Sequence, residues 1–99
     1  MKKPEECISI DEVRAAIDEI DKSTIDLISL RARYVVKAAE FKTSSASVRA
    51  EDRVQTMMLQ RRDWAEESGL NPDFVESVFR KMVEYFIGEE MVKLQSGKK

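Results

Sequence analysis

The sequence predicts an all-α chain of three helices that works as an intertwined homodimer, and three observations carry that expectation. The 99 residues contain only three Gly and two Pro, with 42% hydrophobic and 36% charged residues. That is the composition of a helical protein rich in Ala, Glu, Lys, Leu and Arg. The stretch from Ile10 to Lys42 holds neither Pro nor Gly. Along it Val13, Ile17, Ile20, Thr24, Leu27, Arg31, Tyr34 and Ala38 recur at alternating spacings of four and three, the seam of an amphipathic helix. Such a helix is about 50 Å long, whereas a compact domain of this length has a radius of gyration near 13 Å. The rest of the chain is too short to cover it, so a second copy is expected to pack along the seam.

Ser9 and Glu12 form an S-x-x-E capping box ahead of the first helix, with Ile8 and Val13 placed for a hydrophobic staple. After Lys42, the small residues Thr43-Ser44-Ser45-Ala46-Ser47 read as a mobile loop. A second helix is expected from about Arg49 to Glu67, carrying Val54, Met57, Met58 and Trp64 inward and ending at Gly69. Asn71 and Pro72 then supply the N-cap and first position of a third helix running to about Leu94. Its apolar residues include Phe74, Val75, Val78, Phe79, Met82, Val83, Phe86 and Ile87. Ser96 to Lys99 reads as a frayed tail. The whole, residues 1–99, reads as one domain.

Composition also narrows the function. A net charge of −2 and a pI near 5.3 argue against general nucleic-acid binding. No segment approaches the ~20 apolar residues of a membrane span, and the N-terminus lacks the apolar core of a signal peptide. Cys7 stands alone, so no intrachain disulfide forms and a cytoplasmic setting is expected. With no His at all, hydrolytic and zinc chemistry are poor fits.

Most charges belong to a solvated face. Four do not fit that account. Arg31 sits in the apolar seam, between Leu27 and Tyr34. Arg14 lies roughly 25 Å away along the axis, too far to share a small ligand within one chain. Lys42, within about 20° of Arg31 in direction, lies about 16 Å from it. Glu90 shares a seam with Val83, Ile87 and Leu94. Arg and Lys often lay an apolar stem on a core and keep the head wet, and Glu90 fits a structural ion pair with a seam cation. Cations without compensating carboxylates would instead suit a dicarboxylate, which guanidinium groups bind bidentately. Spacing leaves both readings open.

A family resemblance bears on the choice. The opening Met1 to Cys7, Val13-Arg14-Ala15-Ala16-Ile17-Asp18, Arg31 with Tyr34-Val35, and Phe41-Lys42 carry its first half. Glu51-Asp52-Arg53-Val54, Trp64 to Leu70 and Phe74-Val75-Glu76 carry the second. This ordered set resembles the small all-helical (AroQ-type) chorismate mutases and, among them, the isochorismate-pyruvate lyases of salicylate-derived siderophore biosynthesis. The resemblance implies an interlocked dimer whose first helices run past each other, with two sites between the chains. It places substrate-binding cations at Arg31, Lys42 and Arg53 of one chain and Arg14 of the other. It places apolar walls at Val35, Ala38, Met57 and Ile87, and makes the serine stretch a lid.

Glu90 falls where the family often has Gln, whose side chain donates a hydrogen bond to the ether oxygen of the substrate. An ionised Glu has no proton to give, so Glu90 is expected to work protonated. Val54 falls where mutases commonly carry an acid that holds the ring hydroxyl of chorismate, which favours the lyase. The implied reaction is cofactor-free and pericyclic: isochorismate loses pyruvate to give salicylate, with weak chorismate mutase activity from the same site. Lys42, Arg31 and Glu90 are the implied catalytic residues. Two alternatives remain, a dedicated chorismate mutase and a non-enzymatic helical dimerisation module in which the seam charges only pair.

Overall fold

A computed structural model describes residues 1–96, and these are helical wherever they are regular. A short 3-10 turn at Pro4–Glu6 precedes α1 (Ile10–Ala39), α2 (Ser45–Arg49), α3 (Glu51–Glu67) and α4 (Pro72–Ser96). Ser96, expected in the tail, is instead the last residue of α4, and the rest of the expected tail, 97–99, lies outside the described residues. The chain divides into two compact units, residues 1–34 and 35–99.

In the first unit the start of α1 is capped much as its sequence suggests. Ser9 Oγ accepts from the Glu12 N–H at 3.1 Å. The Glu12 carboxylate reaches one residue further back than a capping box requires, accepting from the Ile8 N–H and the Lys2 ammonium, both at 2.8 Å. Those two bonds, Lys2 first, hold the Glu12 carboxyl below its ordinary range. The staple does not form, since Ile8 is 87% exposed. Along the seam Ile17, Ile20, Leu27 and Tyr34 are 49, 50, 66 and 70% exposed. Within this unit, large apolar residues at helical spacing are thus exposed.

The second unit is built on α3 packed against α4. Met57, Met58 and Ala65 of α3 are buried, together with Val48 of α2. The connection between α3 and α4 follows its local signals. Gly69, at φ +76°, closes α3 in a Schellman motif, with Leu70 N–H donating to Ala65 O at 2.8 Å and Gly69 N–H to Glu66 O at 3.1 Å. Asn71 Oδ1 then accepts from the N–H groups of Asp73 and Phe74 at 2.8 and 3.1 Å, opening α4 at Pro72. Arg62 ties α3 to α4 through Asp73 at 2.8 Å and Glu76 at 2.9 Å, and Arg80 adds a bond to Glu76 at 2.6 Å. Arg80 and then Arg62 hold the Glu76 carboxyl below its usual range.

Four local expectations need correction. The first helix ends at Ala39, not Lys42. Beyond it the N–H groups of Glu40, Phe41 and Lys42 donate three residues back, to Lys37, Ala38 and Ala39. This tighter 3-10-like winding turns the chain by about 120° per residue instead of 100°, so the direction of Lys42 is not the one an α-helix extrapolates. The serine stretch is not a plain loop. Ser44 and Ser47 cap each other reciprocally, each side chain meeting the other's N–H at 3.2 Å, and α2 follows.

The next helix starts at Glu51 rather than Arg49, because Ala50 adopts φ 43°, ψ 53° and breaks the path between α2 and α3. Trp64 does not point inward. It is about half exposed, with the Arg61 guanidinium 4.9 Å from its ring centroid and 5.5 Å from that of Phe79.

A left-handed Ala costs about 1 kcal/mol that Gly avoids. Ala50→Gly is therefore expected to leave stability unchanged or raise it by up to about 1 kcal/mol, and Ala50→Val to lower it by more than that. Denaturant midpoints of the two variants check this. A loss of stability in Ala50→Gly would contradict the conformational account.

Candidate active site

The second unit encloses an open cleft of about 490 Å³. Its apolar wall comes from Val36 and Ala39 of α1, Val48 of α2 and Leu94 of α4. Its polar groups include Lys42, Glu90 and Lys93. The short α2 matters here: it packs against α4, and Val48, its buried residue, closes one side of the cleft.

Lys42 and Glu90, 48 positions apart in the chain, meet in this cleft. The Lys42 ammonium donates to Glu90 Oε2 at 3.2 Å. The Glu90 side chain is only 7% exposed and that of Lys42 24%. A nearly buried carboxylate is costly unless an opposite charge compensates it, and Lys42 does so. In this state Lys42 is already engaged, and an incoming anion reaches it fully only if Glu90 yields the bond.

The other residues singled out from the sequence are distributed more widely. Arg14 and Arg31 lie on α1 in the first unit, 1–34, with Arg31 half-buried. Arg53 lies in the first turn of α3 and lines a separate hollow at the α2–α3 junction with Arg49 and Ala50. Met57 is buried in α3, and Ile87 is half-buried on α4 one turn before Glu90. Val35 and Ala38 are not among the residues of the cleft; their neighbours Val36 and Ala39 are. One position along an α-helix is a rotation of about 100°, so these pairs serve different faces.

Val48 and Lys93 escaped the sequence reading altogether. Val48 had a signal, as the lone large aliphatic side chain in a run of small polar residues. Lys93 had another, three positions beyond Glu90 and so on a neighbouring helical face.

Among the described residues no helix is long and apolar enough to cross a membrane. Residues 13–91 match the chorismate mutase type II family. The chain is 40% identical over 91 residues to a protein of Pseudomonas aeruginosa named isochorismate pyruvate lyase, an alignment covering 92% of this chain and 90% of that protein. It is also 32% identical over 72 residues to a protein of Enterobacter agglomerans named T-protein, covering 72% of this chain but only 19% of that one. An all-helical fold and a family match that runs from Val13, early in α1, to Met91, just past Glu90, agree on one assignment. This chain belongs to the chorismate mutase type II family.

Proposed function

We propose that the protein is an isochorismate-pyruvate lyase, eliminating pyruvate from isochorismate to leave salicylate, with weak chorismate mutase activity from the same site. The observation that carries this reading is the 40% identity to the Pseudomonas aeruginosa lyase across nearly the whole of both chains. Val54, where an acid would serve a mutase, supports it. The atoms balance in one concerted change. A ring hydrogen moves to the enolpyruvyl methylene as the ring–oxygen bond breaks, the ring becomes aromatic and the side chain leaves as pyruvate. No nucleophile, metal or organic cofactor is needed.

The chain's own residues must hold a flexible dianion in a reactive conformation and meet the charge that develops on the ether oxygen. Arg14, Arg31 and Arg53 serve for holding, a contribution worth several kcal/mol. Lys42 sits against the ether oxygen and a carboxylate, where a preorganised donor is worth roughly 3–4 kcal/mol. Glu90 holds the position from which a second hydrogen bond would reach the ether oxygen. Val36, Ala39, Val48 and Leu94 supply the apolar wall beside Lys42 and Glu90, and Val35, Ala38, Met57 and Ile87 serve as walls in the part of the site outside that cleft.

The site is completed by a second copy. The uncovered seam of α1 supports a homodimer, and an antiparallel partner brings Arg14 to the far end of the site in trans. Each chain is a single chorismate-mutase-like domain, acting in the cytoplasm to supply salicylate for siderophore biosynthesis, with neither nucleic acid nor a membrane as partner.

Product analysis with isochorismate and chorismate supplied separately tests the chemistry. Salicylate and pyruvate from isochorismate are expected. Prephenate from chorismate with isochorismate untouched would establish the second reading, a dedicated chorismate mutase, which the family membership also supports. Turnover of neither would favour the dimerisation module. Refolding inactive Arg14→Ala together with inactive Lys42→Ala tests the dimer. A mixed dimer holds one intact site of two, so activity should return to about a quarter of wild type. No recovery would place Arg14 in the same site as its own chain's Lys42, or outside the site.

A further inference from the structure

The cleft's charges do not balance as its pairs suggest. Glu40, at its rim, is answered from outside by Lys37 at 3.2 Å, and Glu90 is answered from inside by Lys42 at 3.2 Å. One further cation faces the same cleft. Lys93 lies three residues beyond Glu90 on α4, is exposed, and makes neither salt bridge nor hydrogen bond among the described residues. An exposed ammonium next to a cleft with low-dielectric walls raises the local concentration of anions and speeds their capture.

A substrate with two carboxylates offers a group for each lysine. We propose that Lys93 is a further substrate-binding residue, a recruiting cation at the cleft mouth that receives one carboxylate of the incoming dianion while the other approaches Lys42. The proposal rests on the dicarboxylate reading given above. It differs from that reading in giving α4 a binding residue in addition to Glu90.

Because Lys93 is exposed, its effect should lie in capture and fade with salt, as charges beyond about 10 Å are screened at 0.1 M ionic strength. The test compares Lys93→Gln, Lys93→Arg and, as a control, Lys22→Gln; Lys22 is paired with Asp26 at 2.8 Å on α1. At low ionic strength Lys93→Gln should raise KM about three- to tenfold with kcat within about twofold of wild type. Lys93→Arg should restore KM, Lys22→Gln should leave it unchanged, and about 0.5 M salt should erase the difference. A merely structural lysine at the helix C-terminus would alter the melting temperature and leave this KM-against-kcat split untouched.

An unchanged KM in Lys93→Gln at low salt would overturn the proposal, as would an equal effect in Lys22→Gln. Equilibrium binding of isophthalate, a non-reacting cyclic dicarboxylate, separates the two ideas. Binding weakened severalfold by Lys93→Gln in a protein that turns over neither isomer would keep Lys93 and discard the lyase. Normal turnover with isophthalate binding unaltered would do the reverse.

Discussion

Lys42→Ala is expected to lower turnover of isochorismate about a hundredfold or more, with the helical fold retained, which is the loss typical of removing one preorganised donor from a water-poor site. The substitution has a second consequence, because Lys42 also answers Glu90 at 3.2 Å. Removing it strands a nearly buried carboxylate, and some stability should go with it. The double variant Lys42→Ala/Glu90→Gln separates the two effects. It removes the stranded charge, so the melting temperature should recover while turnover stays low. Circular dichroism melts and salicylate formation, measured on both variants, read the two quantities independently. Wild-type turnover in Lys42→Ala would remove Lys42 from the chemistry and leave the ion pair as a structural device.

The second large effect concerns the donor that Glu90 lacks. As a carboxylate it accepts from Lys42 and has nothing to donate to an ether oxygen. Glu90→Gln carries a donor without needing a proton, so its turnover of isochorismate at pH 7.5 should exceed wild type by roughly tenfold. Slower turnover by Glu90→Gln at pH 7.5 would instead show that the carboxylate itself is needed, through its hold on Lys42.

The two effects are linked through one bond. Glu90→Gln both supplies a donor and releases Lys42 from its ion pair, since amide and carboxylate have similar shape and opposite donor capacity.

Much of the fold was legible because its signals are local. The Ser9 cap, the Gly69 turn and the Asn71-Pro72 start each depend on hydrogen bonds within a few residues, and all three form. The seam of α1 was legible for the same reason, being a periodicity within one helix. The misread segments also have local causes, but weaker ones. Ser44 and Ser47 form a capping box with a serine where Glu or Gln is usual, so the segment reads as a loop. Ala50 takes a conformation that its side chain does not advertise, since Gly or Asn is the ordinary occupant of left-handed backbone. Trp64 reads as an inward residue on hydrophobicity alone, whereas an Arg one turn earlier covers part of its face.

The sequence by itself determined the all-helical class and the apolar seam of α1, because composition and periodicity need no knowledge of what lies across the fold. Which charges touch is another matter. The pairing of Lys42 with Glu90 joins residues 48 positions apart and depends on the 3-10-like winding after Ala39, which turns Lys42 away from the direction a regular helix would give it. The choice of Val36 and Ala39 over Val35 and Ala38, and the entry of Val48 and Lys93 into the cleft, follow from how α2 and α4 pack. Those are contacts between distant segments. They were decided only when burial of Val48 and compensation of the Glu90 charge were satisfied together in three dimensions.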